Sequence, residues 1–526
     1  MEAPPGAPMD APGSTSVDVT PRRADTPRPT QADAARLTPV DASRLTSAGA
    51  TPRSADTPRS TSADATRLKS ADANRSTSVD ASRLTSADAT PRSPDAARLT
   101  PVDARRQMPA EAPGGALEQR HRRWLTRERA IGYATILAIT ELALFAFCVA
   151  GAHGLIVPLD HQPSTDFVSF HAAGALANRG TPWLVYDHAA HHAAEEAAIG
   201  AATGYNYFYY PPVFLLICAP LAWLPYLPAF ILFQALGAAA CFFALRLVRR
   251  DLPLVVFLAF PGLWWAIGTG QNALLTAALF AAGTAVLDRR PWLAGLCLGA
   301  LCYKPHFGLL IPVALIAGGH WRAFLGAAGA VLALTSVSFA VFGVAAWQAF
   351  LTAAAASSDV YAGHAIFMGG LTSPFGALMA TGFGRPIAFA AQAVVIVLAA
   401  AAVVLVWRPR AGAGAGRAPL PLRAAVLLTA TPVAVPVLMF YDLMLVFVAL
   451  VWISRARLAG GPPRWLTVTA VAVFLGPFAS GNLAMGSPWL MAFVTASLAF
   501  ALTLALAWQT LAWPRSVLAR TVTGAA

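Results

Sequence analysis

Asp166 opens the run Ser-Thr-Asp-Phe-Val-Ser-Phe-His-Ala-Ala-Gly. At a helix start such an aspartate is an N-cap, because its carboxylate accepts backbone N–H bonds. The apolar runs around it also put this carboxylate at a membrane boundary, near a Pro-Pro segment, where it suits a general base acting on a lipid-linked substrate. The two roles are compatible. Lys304 interrupts an apolar stretch in Leu-Cys-Tyr-Lys-Pro-His-Phe-Gly. Its stem can snorkel to the headgroups, yet an ionisable residue between membrane helices is a functional candidate. With His306 beside it, the cation is suited to a lipid phosphate. Gln271 and Asn272 begin an apolar span, where they either cap a helix or hydrogen-bond sugar hydroxyls. Tyr441-Asp442 falls at a turn, where a solvated carboxylate is the plain expectation. His188, His191, His192, Glu195 and Glu196 share i, i+3, i+4 spacing but lack the His-Glu-x-x-His pattern of a zinc site. A solvated polar helix face is expected there, with no metal.

The elements that position these residues are hydrophobic. Of the 526 residues 56% are hydrophobic and only 12% charged, too few charges for a soluble multidomain enzyme. Residues 1–118 hold 15 basic and 15 acidic side chains, so the net charge of +12 falls entirely within 119–526. There it reads as membrane topology rather than as a nucleic-acid surface. The five cysteines lie in apolar runs without metal-ligand spacing, which argues against a disulfide framework.

Two domains follow. Residues 1–118 form an Ala, Asp, Arg, Ser, Thr and Pro tail that cannot bury enough apolar surface to fold, and it is expected to be disordered and cytoplasmic. An octad places Asp64, Asp72, Asp80 and Asp88 eight apart, with Arg67, Arg75 and Arg83 in step. It reads either as a charge-alternating tether or as an expanded low-complexity repeat, with Met108 as an alternative initiator. No signal-peptide core precedes it.

Residues 119–526 read as an all-α polytopic membrane bundle. Apolar stretches at 131–152, 226–248, 252–267, 271–287, 291–303, 306–319, 323–343, 386–407, 423–440, 443–454, 465–480 and 488–511 give twelve candidate spans, several shorter than the roughly 20 residues that cross a bilayer. Arginines at 120, 122, 123, 127 and 129 hold the first end in the cytoplasm, and alternation then leaves only Arg179, Lys304 and Arg385 outside. Both termini are expected inside. Residues 211–224 break this threading and read as a re-entrant or surface segment lining a cavity. Long outer loops are expected at 153–210 and 344–385. The first holds Asp160, Asp166, Asp187 and six histidines, and within it Phe167 to Asn178 reads as a short amphipathic helix able to lie in the interface.

In order along the chain, Asp166-Phe-Val-Ser-Phe-His-Ala-Ala, Gly180-Thr-Pro-Trp-Leu-Val-Tyr-Asp, Tyr209-Tyr-Pro-Pro-Val-Phe-Leu-Leu, Ala219-Pro-Leu-Ala-Trp-Leu-Pro, Gly270-Gln-Asn, Lys304-Pro-His and Tyr441-Asp-Leu resemble glycosyltransferase family 87 over about 150–450. That resemblance implies a GT-C-like bundle of about twelve transmembrane helices in a bacterial inner membrane, its active site at the outer face. It implies transfer of mannose, or another sugar such as arabinofuranose, from a polyprenyl-phosphate donor to a periplasmic or lipid-linked glycan acceptor. Asp166 maps onto the family's catalytic carboxylate, and His306 stands where glutamine is common. The substrate-binding set becomes Lys304, His306, Gln271, Asn272, Tyr207, Tyr209, Tyr210, His171, Asp187, Tyr441 and Asp442. No cofactor is expected, a divalent-metal requirement stays open, and the partners are sugar donor, glycan or glycolipid acceptor and membrane lipids, with no nucleic acid. A transporter or flippase is the competing class, since short Gly- or Pro-interrupted helices also occur there; an inactive scaffold is a third.

Overall fold

The computed structural model describes residues 125–151, 165–200, 202–362, 368–409, 416–456, 462–482 and 490–523. The tail expected over 1–118 lies outside the described residues, as do His153, Asp160 and His161. Among the described residues the regular elements are helices, and one isolated antiparallel bridge joins Leu371 to Met439. The helices are α1 (Arg127–Gly151), α2 (Phe167–Asn178), α3 (His188–Ile199), α4 (Leu215–Leu221), α5 (Tyr226–Val248), α6 (Leu254–Leu258), α7 (Pro261–Gly268), α8 (Ala273–Val286) and α9 (Pro291–Gly299). They continue as α10 (Ile311–Ala317), α11 (Trp321–Ala362), α12 (Pro374–Ala380), α13 (Arg385–Trp407), α14 (Leu420–Ala434), α15 (Met444–Ile453), α16 (Arg464–Asn482) and α17 (Met491–Thr523).

Length and burial sort these helices into two kinds. Five stretches are long and apolar enough to cross a membrane: Arg127–Phe147, Tyr226–Val248, Trp321–Ser357, Arg385–Trp407 and Met491–Thr510. Their outer faces carry exposed Ile136, Phe147, Leu236, Phe243, Leu332 and Val397. Apolar surface of that extent is stable only when hydrocarbon is the solvent. The short helices α14 and α15 are instead buried: every residue of α14 from Leu422 to Ala434 is enclosed, the polar Arg423, Thr429 and Thr431 included, as is all of the wholly apolar α15 except Leu450. A helix without a polar face belongs in a core. They pack on each other, with α13 and α17 against α14.

Several expected spans are broken. The stretch 252–267 divides into α6 and α7, of five and eight residues, because Pro253 and Pro261 each begin a helix. Stretches 291–303 and 306–319 pass through 3₁₀ turns on either side of Lys304. The segment 211–224 is a 3₁₀ turn, Pro212–Phe214, running into α4, and its residues Pro212, Val213, Phe214, Leu215 and Cys218 are buried in protein.

Two expectations need correction. Helix α2 has the expected limits but is no interfacial helix, since nine of its twelve residues are buried, His171 and Ser169 among them. Helices α3 and α4 pack against it, and these contacts are not written in its own pattern. The stretch after 343 is no loop but helix as far as Ala362, following a break at Gly343 (φ 77°, ψ 173°). That conformation suits glycine alone, and the alanine-rich sequence beyond it favours renewed helix.

Candidate active site

The site forms where α2, α8, α15 and the segments around Tyr210 and Lys304 meet. Asp166 precedes α2 with helical backbone angles (φ −56°, ψ −17°), so its side chain makes no capping bond. A capping aspartate needs extended angles to reach back to the free N–H groups. The carboxylate turns instead to Gln271, whose Nε2 donates to Oδ2 at 2.5 Å. The backbone of Asp166 is held to the same turn, its N–H donating to Thr269 O at 3.0 Å. Gly270 makes this close approach possible. It adopts φ +72°, and a Cβ there would stand 2.7 Å from Phe167 Cβ and 2.9 Å from Thr165 Oγ1.

Gln271 extends the arrangement. Its Oε1 accepts from the Tyr210 hydroxyl at 3.2 Å, and its backbone carbonyl accepts from Gln234 Nε2 at 3.2 Å. One amide therefore orients both the carboxylate and the phenol. Burial raises the pKa of Asp166, opposed by the Gln271 bond and by the positive charge of Lys304.

Lys304 does not snorkel. Held between the two 3₁₀ turns, it is buried and donates to both oxygens of Asp442, at 3.0 and 3.1 Å. Asp442, expected as a solvated turn carboxylate, is only 2% exposed and sits in the 3₁₀ turn Phe440–Leu443 that leads into α15. A buried cation needs such a partner, because an uncompensated charge inside protein is strongly destabilising. The Lys304 ammonium also lies 5.7 Å from the centre of the Tyr441 ring.

Segment 205–210 supplies an aromatic wall. Tyr205 and Tyr207 approach to 4.7 Å between ring centres, and Tyr207 stacks on Tyr209 at 5.5 Å with planes 8° apart. These rings alternate along the chain with buried Phe208, as an extended segment with a two-residue period requires. The Tyr186 hydroxyl fixes the wall by donating to Tyr210 O at 2.8 Å.

Together these groups enclose a cleft of about 460 Å³. Asp166, Tyr207, Tyr209, Tyr210, Gln271, Lys304, His306, Tyr441 and Asp442 line it. Three expected members stand apart. His171 turns its Nε2 to Leu224 O at 3.0 Å, Asp187 caps α3 by accepting from Ala190 N at 2.9 Å, and Asn272 is buried behind the wall. Tyr205, part of the aromatic run 205–210 in the sequence, also lines the cleft, whereas Ser169, Asn206, and Phe350, Ala354 and Ser357 from the far half of α11 were not singled out from sequence. Nothing local marked the α11 residues, which reach the cleft because the helix restarts after Gly343.

The expected solvated face of α3 is also corrected. His191 and Glu195 are fully buried. Glu195 Oε2 accepts from Asn206 N at 3.1 Å, and His191 Nε2 meets Ser169 O at 3.1 Å, so α3 braces two residues of the cleft from behind. Burial carries Glu195 up to about 8 and His191 down to about 4, which leaves both neutral at pH 7. His192 and Glu196, 3.8 Å apart, do face outward. Among the described residues no group of three or more His, Cys, Asp or Glu is arranged to hold a metal.

Residues 208–436 match glycosyltransferase family 87. The match takes in Tyr209, Tyr210, Gln271, Lys304 and His306, and it lies between Asp166 and Asp442. The matched family is one of glycosyltransferases, so this segment is similar to proteins that use a sugar donor and a glycan acceptor. No curated protein and no solved structure matches the chain significantly.

Proposed function

We propose that the protein transfers a sugar, mannose foremost, from a polyprenyl-phosphate donor to a periplasmic or lipid-linked glycan, with Asp166 as general base. The observation that carries this reading is the cleft itself, lined by a carboxylate oriented by Gln271, by the Lys304 ammonium and by the tyrosine wall. A lipid donor is supported by a second, apolar groove of about 530 Å³ lined by residues of α9, α10 and α11. Pro305 belongs to both cavities, so a prenyl chain in the groove brings its phosphate to Lys304 and His306.

The reaction is a direct displacement. An acceptor hydroxyl attacks the anomeric carbon; the new C–O bond forms as the bond to the phosphate oxygen breaks. The hydroxyl proton passes to Asp166, while Gln271 keeps Oδ2 occupied and the carboxylate aimed. Polyprenyl phosphate departs with the electron pair. It needs little acid catalysis, so charge stabilisation matters most. The Lys304 ammonium has three protons, of which Asp442 takes two, leaving one for a phosphate oxygen. The wall Tyr207, Tyr209 and Tyr210, with Gln271, surrounds the sugar. The site faces the outside of a bacterial inner membrane, with both termini in the cytoplasm.

The test offers labelled polyprenyl-phosphate sugars to isolated membranes holding wild type or Asp166→Asn at matched levels and insertion. Loss of general-base catalysis lowers transfer by about 10²–10⁴-fold. Transfer by Asp166→Asn at the wild-type rate overturns the base assignment. One observation favours the carrier reading: Glu141, inside α1, is 5% exposed, and a carboxylate within a span is a proton-carrying feature. A carrier would lose function in Glu141→Gln while tolerating Asp166→Asn; the transferase does the reverse.

A further inference from the structure

At the end of the bundle away from Asp166, several helix termini meet around a second cleft. Helix α5 begins at Tyr226, which hydrogen-bonds Thr165 beside Asp166, and ends at Val248 after 23 residues. At about 1.5 Å per residue this separates the two sites by roughly 33 Å. The far cleft has a volume of about 720 Å³ and carries Arg249, Arg250, Arg289 and Arg455 on its walls.

Two of these arginines are fixed by the fold. Arg249 pairs with Asp251 at 3.0 and 3.2 Å, and Arg455 donates to Val248 O at 2.7 Å with its guanidinium 5.8 Å from the Trp452 ring centre. The other acid of the cleft, Asp288, is occupied by Arg423, which donates to both its oxygens at 3.1 and 2.9 Å. Arg250 and Arg289 are exposed, and their side chains make no ion pair or hydrogen bond among the described residues. Beyond Asp288 and Leu420, which both cavities share, lies a second cavity of about 730 Å³ that adds Arg322 and Arg417. A cation at the carboxyl end of α5, α8 or α15 complements that helix's dipole. This accounts for about one cation per terminus and leaves an excess gathered around a cavity.

We infer that this cleft binds the phosphate headgroup of an anionic membrane phospholipid. Guanidinium groups match phosphate oxygens in paired hydrogen bonds, and basic pockets between membrane helices recognise anionic headgroups. The surroundings favour a lipid over a free anion. Leu247, on the cleft wall, is 57% exposed and leads toward the apolar outer face of α5. Trp292 and Trp321, at the starts of α9 and α11, are 54% and 57% exposed beside Arg290 and Arg322. Exposed tryptophans beside arginines mark the headgroup level of a bilayer.

The test uses the full chain purified in mild detergent and incubated with labelled phosphatidylglycerol or phosphatidylcholine. Wild type retains phosphatidylglycerol, and the Arg250→Gln/Arg289→Gln double variant retains it at least about tenfold less, since two charge-assisted contacts are removed. Phosphatidylcholine retention is low and equal in both. A charge-preserving Arg250→Lys/Arg289→Lys variant keeps most of the binding, so loss through misfolding is separated from loss of charge. Equal retention of phosphatidylglycerol by wild type and the glutamine variant overturns the site. Displacement of the lipid by an equal concentration of inorganic phosphate overturns the lipid assignment and leaves a free-anion site.

Discussion

Among single residues, the polar groups of this protein divide by what burial forces on them. Lys304 and Asp442 remain as a pair because each supplies the other's missing solvent, whereas Glu195 has no cation and is neutral instead. Glu195 is fully enclosed, its Oε2 on Asn206 N and its Oε1 3.7 Å from His191 Nδ1; Tyr205, Glu196 and, through space, Asp166 are its other titratable neighbours. Burial is the first cause that lifts its pKa from the ordinary 4.5 to about 8. The folded chain thus holds this proton more tightly than the unfolded chain does. Below about 4.5 both states are protonated and nothing is lost; between 4.5 and 8 only the unfolded carboxyl ionises, so stability falls as pH rises; above about 8 the loss is complete and constant. Glu195→Gln keeps the shape and an acceptor for Asn206 but cannot ionise. Its melting temperature is expected to match wild type near pH 4.5 and to exceed it increasingly up to pH 8. A gap that stays constant across that range would mean that Glu195 is already ionised in the folded protein.

Among elements, the turn between α7 and α8 sets the site more than any helix does. Thr269 O holds the Asp166 backbone, Gln271 holds its carboxylate, and Gly270 lets the two chains touch. Gly270→Ala must relieve contacts of 2.7 and 2.9 Å while leaving a positive φ. A strained backbone of this kind costs on the order of 1–3 kcal/mol, and a shift of about 1 Å in Gln271 costs up to about 10²-fold in rate. Sugar transfer by Gly270→Ala is therefore expected to fall by about 10–10²-fold with helical content unchanged. Gly329→Ala, where a Cβ meets nothing within 4 Å, serves as the control and should transfer normally. Full activity in both would show that the turn does not set the carboxylate. This turn was only half legible in sequence. Gly-Thr-Gly-Gln-Asn announced a helix start with polar side chains, but a partner 105 residues away in Asp166 leaves no local pattern. The limits of α2 were readable from its composition for the same reason that its burial was not: propensity is local, while its covering partners α3 and α4 are separate segments.

Across the whole molecule, the polar contacts between helix ends sort into two groups. Arg127 with Asp251, Arg455 with Val248 O and Arg423 with Asp288 tie together the start of α1 and α14 and the end of α5, α8 and α15. Thr165 with Tyr226, Gln271 with Asp166 and Lys304 with Asp442 tie together the opposite termini. Charge counting along the sequence assigns the arginine-rich ends to the inside and leaves Lys304 outside, because it depends only on the order of arginines and apolar runs. The number of full spans did not follow as simply, since α14 and α15 are enclosed by longer helices and their length answers to the core rather than to bilayer thickness. The segregation yields a topological prediction. Arginine-rich ends are expected on the cytoplasmic side, so the Asp166 cleft is expected to open outward. In a background with the five native cysteines replaced, exposed Ala202→Cys, near the tyrosine wall, should react with a membrane-impermeant maleimide on intact cells. Exposed Ser454→Cys, at the end of α15 among the arginines, should react only after the cells are opened. The reverse pattern would place the carboxylate and the lipid phosphate in the cytoplasm, and a donor sugar presented on the outer leaflet could not then reach Asp166.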